Sequence, residues 1–223
     1  MKIRVPYKRR AVLVALALVV LLLGGCLRKA TTQPEEITYQ LPTKITVGIG
    51  QVVPGTDIRY DRLAEQGAYL TIQGQEALKR KGDSLEWSGN PSAGVAVDLS
   101  LRVVWFTESE IHLAGTAKIV VDGVSPREGA IATTSEIKYT GPVAYGLAKG
   151  AVLPGSSLTY EGESDDGAKL GGLSGYPYRR AGDSIFWEGT LRDGVSIRID
   201  VRVVQYDAKG LRVGGLVTLW IGA

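Results

Sequence analysis

Few residues in this chain are suited to chemistry. It has one histidine, His112, and one cysteine, Cys26, in 223 residues. His112 falls on the polar phase of an alternating segment, and Arg212 takes the matching place later in the chain. A catalytic imidazole needs a nucleophile and an orienting partner, and no motif marks either. One histidine and one cysteine do not make a zinc site. Asp165-Asp166, with Glu161 and Glu163 nearby in sequence, offers the hard oxygens that Ca²⁺ takes. The earlier counterpart carries Asp61 and Glu65, with Gln66 in place of Asp166, so a solvated turn is expected, with no metal and no cofactor. The strongest recognition candidate is Tyr176-Pro177-Tyr178-Arg179-Arg180. Tyr and Arg supply rigid, amphipathic contacts suited to interfaces and to stacking on sugars. The earlier counterpart reads Glu76-Ala77-Leu78-Lys79, so recognition is expected from the later half of the chain. The plainer alternative is that Tyr176 and Tyr178 line a barrel end or cover a strand edge.

The amino terminus belongs to targeting, not to the fold. Lys2, Arg4, Lys8, Arg9 and Arg10 precede an unbroken apolar run, Ala11 to Leu23. As a helix that run spans about 20 Å, short of the ~30 Å hydrocarbon core of a bilayer, which suits a signal-peptide h-region better than an anchor. It ends in Leu23-Gly24-Gly25-Cys26. This segment resembles a bacterial lipoprotein signal, in which an aliphatic and two small residues precede a lipidated cysteine. The resemblance covers Met1 to Cys26 only. It implies diacylglycerol on the Cys26 thiol, acylation of the new N-terminus and removal of residues 1–25. Acyl chains contribute about 0.8 kcal/mol per buried CH₂, enough in combination to hold a protein on a membrane. Lipidation also gives a lone cysteine in an exported chain a purpose.

Removing the leader reverses the charge. The whole chain has 26 basic and 23 acidic residues, but five of the cations lie in the leader. The remainder, 21 against 23, carries −2, and nucleic-acid binding is not expected without a basic face. Leu27 to Glu35 is short and polar and reads as a tether, so residues 26–35 form a lipidated Cys with its spacer.

The elements that position these groups occur twice. Arg80-Lys81-Gly82-Asp83-Ser84-Leu85-Glu86-Trp87 returns as Arg180-Ala181-Gly182-Asp183-Ser184-Ile185-Phe186-Trp187. At the same constant step, Glu36-Ile37-Thr38-Tyr39 matches Glu136-Ile137-Lys138-Tyr139, and Arg102-Val103-Val104 matches Arg202-Val203-Val204. About two dozen identical pairs accumulate without an insertion. The units are 36–123 and 136–223, with 124–135 as a linker.

Within each unit the period is two, the mark of strands with one buried face. Val95, Val97, Leu99, Leu101, Val103 and Trp105 are expected inward, with Asp98, Ser100 and Arg102 outward. Asp207-Ala208-Lys209-Gly210 suits a turn closed by a left-handed glycine. Gly115 and Gly215 suggest a bulge or a close backbone approach. The fold class expected is all-β: two tandem repeats of a small antiparallel β-sandwich or barrel, six to seven strands each, small enough to pack together. Gly82, Asp83, Trp87 and their counterparts Gly182, Asp183 and Trp187 read as structural repeat core, with the turns as hairpin connections. Phe186 departs from this pattern. It replaces Glu86 on the wet face and suggests contact with the sister unit or a ligand.

The function expected is that of a membrane-anchored envelope lipoprotein, exported and facing the periplasm or exterior from the cell or outer membrane. It would act without catalysis as a binding or structural module for a glycan or protein partner. A carrier of a hydrophobic small molecule within or between the units is the alternative, and a hydrolase is less favoured. Cys26→Ser is expected to move the protein from the membrane to the soluble fraction; unchanged fractionation would refute the anchor.

Overall fold

The computed structural model describes residues 34–222, so Cys26 and the leader lie outside the described residues. The chain is all-β, with no helix among the described residues. The first copy contributes β1 (Glu36–Gly48), β2 (Arg59–Ala64), β3 (Gly67–Ile72), β4 (Gln75–Lys79), β5 (Ser84–Ser92), β6 (Val95–Phe106) and β7 (Glu110–Asp122). A two-residue strand, β8 (Arg127–Glu128), follows. The second copy contributes β9 (Ile137–Ala148), β10 (Thr159–Ser164), β11 (Gly167–Gly171), β12 (Tyr178–Arg179), β13 (Ser184–Arg192), β14 (Val195–Asp207) and β15 (Gly210–Ile221).

Each copy builds two antiparallel sheets. The order β1-β7-β6-β5 recurs as β9-β15-β14-β13, and the meander β2-β3-β4 recurs as β10-β11-β12. Register is kept as well: Leu101 lies opposite Gly115, and Val201 opposite Gly215. The ladder runs through both glycines without a shift. A Cβ there would come within 2.0 Å of the Ser100 carbonyl or 2.3 Å of the Asp200 carbonyl, so close approach explains them. Leu85, Val97 and Leu99 from the larger sheet share one core with Tyr60, Ala68 and Leu70 from the smaller. Each buried aliphatic side chain contributes about 1.5–3 kcal/mol. The tyrosines also tie the sheets together, since Tyr60 Oη donates to the Thr107 carbonyl (2.5 Å) and Tyr160 Oη to that of Asp207 (3.0 Å).

Three local expectations need correction. The repeated Arg-x-Gly-Asp turns are not hairpin connections, because β4 and β5 belong to different sheets. The turn carries the chain from the small sheet to the large one. Gly82 and Gly182 sit at φ 90° and 91°, and the Asp83 and Asp183 carboxylates each accept the backbone N–H three residues back, at 2.8 and 2.7 Å. Gly82 N–H and the Asp83 carbonyl then bond Val103, which fixes the crossing.

Trp105 is not inward. A bulge between Val103 and Trp105 inserts one residue and inverts the alternation, leaving Trp105 55% exposed and turning Phe106 inward. Finally, Gly210 has no left-handed φ. The Asp207 carboxylate accepts the N–H groups of Lys209 and Gly210 to close that turn, and Gly210 is small because Leu147 O would lie 2.6 Å from its Cβ.

The connector is structural too. β8 pairs with β13 and covers the edge of the second large sheet, and Ser125 N–H bonds the Leu191 carbonyl. Beneath it Trp187 is 2% exposed, whereas Trp87, at the corresponding edge strand β5, is only half-buried. The indole N–H groups of Trp87 and Trp187 bond Asp57 and Ser157, one position in two copies.

The copies form one compact unit. β1 and β9 are both edge strands, and they meet without pairing. A Cβ on Gly141 would stand 3.0 Å from Leu41 Cδ2 and 3.2 Å from Pro42 Cδ. Leu41 and Gly141 are one position in two copies, so this contact lies on the pseudo-twofold axis between them. Reciprocal contacts support the axis. Arg192 covers Gly94 and donates to the Asp122 carbonyl (2.6 Å), while Ser92 faces Gly194.

Gly141→Leu should overfill the axis and cost about 1–3 kcal/mol. Leu41→Gly should leave a cavity and cost about 2–5 kcal/mol. Carrying both, which moves the leucine to the other copy, should recover at least half of the summed loss in urea denaturation. Simple additivity would count against the axis.

Candidate functional site

The outer face of the second small sheet differs most from its counterpart. In the first copy, charges close this face. Arg59 and Thr71 both donate to Asp61, and Arg62 pairs with Glu76 while its guanidinium lies 4.0 Å from the centre of the Tyr69 ring. Burial alone would raise the Asp61 carboxyl, but the bonds from Thr71 and Arg59 and the nearby guanidinium charges outweigh it and hold it below the usual carboxylate range.

In the second copy Gly162 replaces Arg62, Lys169 replaces Tyr69, and Tyr176 and Tyr178 replace Glu76 and Leu78. The ladder is shorter here: β12 has two residues where β4 has five, and 172–177 form a loop. Tyr176, at the end of that loop, is 63% exposed, and its ring centre lies 5.4 Å from that of Tyr178 at 58°. Tyr178 is opposite Lys169, whose ammonium contacts Glu161 at 2.8 Å. That hydrogen bond, and then the Glu161 charge, raise the Lys169 pKa. The face thus combines a tilted aromatic pair with an exposed ion pair.

Arg179 and Arg180 have other work. The Arg179 guanidinium donates to the carbonyls of Tyr176 (2.7 Å), Tyr178 (2.9 Å) and Ser184 (3.1 Å), holding the aromatic loop. Lys79 likewise bonds the Ser84 carbonyl. Arg180 starts the crossing turn, and its side chain reaches the Asp166 carbonyl at 3.5 Å. Arg179 is therefore a positioning group, while Arg180 joins the turn by its backbone and its side chain stays exposed.

Phe186 is 53% exposed on the outward face of the second large sheet. The Arg198 guanidinium lies 5.9 Å from its ring centre and 5.4 Å from that of Trp220, and is paired to Glu188 at 3.1 Å. Lys138 lies 5.5 Å from the same indole. Trp220, 3% exposed on the nominally wet phase, was not singled out from the sequence. The signal was present, since Val120 stands in its place in the other copy.

His112 does have neighbours. Its Nδ1 is 3.0 Å from Thr46 Oγ1 and its Nε2 2.9 Å from Glu110 Oε1. The order hydroxyl–imidazole–carboxylate is that of a hydrolytic triad. A hydrolase also needs N–H donors aimed at a developing oxyanion in a water-poor site. Here the imidazole is 37% exposed on an open sheet, directly across from Thr46 in the β1–β7 register. The chain of bonds is a cross-strand polar ladder. Asp165 and Asp166 occupy the β10–β11 turn, and no group of three or more metal-ligating residues occurs among the described residues.

The seam between the copies has two unlike sides. On one, Lys44, Ile45, Thr46 and Pro54 face Glu136–Tyr139 around a groove of about 210 Å³. On the other, Tyr145, the counterpart of Ile45, lies close to Tyr39.

No family model, curated protein or solved structure matches this chain.

The seam phenols give a pH dependence. Burial pushes Tyr139 and Tyr145 up to about 12. Tyr39 is also raised well above its ordinary value, first by burial and then by Tyr145, and its hydroxyl has no hydrogen-bond partner. Their folded pKa values exceed the unfolded value of about 10. The stability they contribute is therefore complete below about pH 10 and is lost as pH climbs towards 12. Denaturation midpoints should fall across that window while the seam phenols titrate late by ultraviolet difference spectra. Tyr145→Phe should flatten the fall.

Proposed function

We propose that this protein is a non-enzymatic binding module of the cell envelope, held to a membrane through lipid on Cys26, and that the second copy binds glycan. The observation that carries this reading is the exposed Tyr176 against the half-buried Tyr178, beside Glu161 and Lys169, on a face that Arg62 closes in the first copy. Aromatic rings offer sugars an apolar platform, and a neighbouring carboxylate and ammonium offer acceptors and donors for hydroxyls. The first copy then serves as scaffold, burying the seam that holds the second in place. A rigid backing for the tyrosines comes from Arg179, which fixes the loop by its carbonyls.

The test is binding to purified envelope polysaccharide by wild type and by Tyr176→Ala/Tyr178→Ala. Losing two such contacts should cost about 2 kcal/mol or more, roughly thirtyfold in affinity, with the melting temperature almost unchanged. Retention of glycan by the double variant would overturn the site. Loss of an envelope protein partner, with glycan binding intact, would replace glycan by protein in this reading.

A further inference from the structure

The seam groove is a place that the fold prepares and only one side fills. The pseudo-twofold axis through Leu41 and Gly141 carries Ala144, Tyr145, Gly146, Pro154 and the segment 36–39 onto Lys44, Ile45, Thr46, Pro54 and the segment 136–139. On the first side Tyr145 is packed against the core close to Tyr39, and Ile37 is 6% exposed. On the second side Ile45 takes that position, the groove of about 210 Å³ opens, and the matching Ile137 is only half-buried. For scale, an apolar cavity of about 150 Å³ admits benzene.

The walls define the chemistry. Ile45, Ile137 and Pro54 are apolar, and the Thr46 hydroxyl is bonded to His112. The exposed Lys44 and Lys138 stand on the rim of the groove against the single carboxylate of Glu136, the Lys138 ammonium also lying 5.5 Å from the centre of the Trp220 ring. β1 and β9 also present their unpaired strand edges here. We propose that this groove binds a single-ring aromatic acid, its ring lying where the axis would place the Tyr145 side chain and its carboxylate met by Lys44 and Lys138. The site is separate from Tyr176 and Tyr178, and it stands or falls without them.

The experiment is calorimetric or NMR titration of the protein with 4-hydroxyphenylacetate. Wild type should bind saturably at one site. Ile45→Tyr should fill the groove and weaken binding at least about tenfold. Lys44→Gln/Lys138→Gln, at two exposed positions, should weaken binding at least about tenfold with the fold intact. This variant keeps the proposal testable should Ile45→Tyr fail to fold. Absence of saturable binding to wild type, unchanged affinity in Ile45→Tyr, or unchanged affinity in the double lysine variant would each overturn it.

Discussion

Everything in this molecule turns on a leucine that only one copy carries. Leu41 fills the hollow that Gly141 leaves, at a position the pseudo-twofold axis maps onto itself. Two leucines there would collide, and two glycines would leave a void in a close-packed seam. Identical subunits in a symmetric dimer could not resolve this, since each must carry the same residue. Two copies in one chain can differ, and this sequence differs at the axis itself.

The same freedom shows further from the axis. Residues that tie each copy together are retained: the tyrosines that hold sheet to sheet, the aspartates of the crossing turn, the edge tryptophans. Residues that face water diverge in kind. Arg62 becomes Gly162 and Glu76 becomes Tyr176, which changes a closed, charged face into an open, aromatic one. At the seam Ile45 faces a groove where Tyr145 fills its counterpart. Scaffold is common to both copies, and the open aromatic face is private to one.

Much of this was legible in the sequence. The alternation of Val95 to Val103 shows the buried face because each side chain obeys a period of two, and comparing copies shows the repeat. Three things were not legible, each for a physical reason. The turn at Arg80–Asp83 uses the same Gly and Asp chemistry whether it joins paired strands or crosses between sheets, and only distant partners such as Val103 decide. The bulge at Val104 adds one residue without a compositional mark, though the mismatch of Trp105 with Gln205 hinted at a surface position. Arg179 reads as a recognition group by type, yet its guanidinium is spent on three carbonyls. Lys79, holding the corresponding carbonyl, was the available clue.

The connector has one more consequence. Because β8 is fastened to the edge of β13, the span between the copies is short and directed. Covalent joining at such a distance holds two partners at an effective concentration of about millimolar. A dimer of separate subunits falls apart on dilution. Here dilution has no purchase: the seam persists in a single molecule, and its two unlike sides can never be exchanged for two alike.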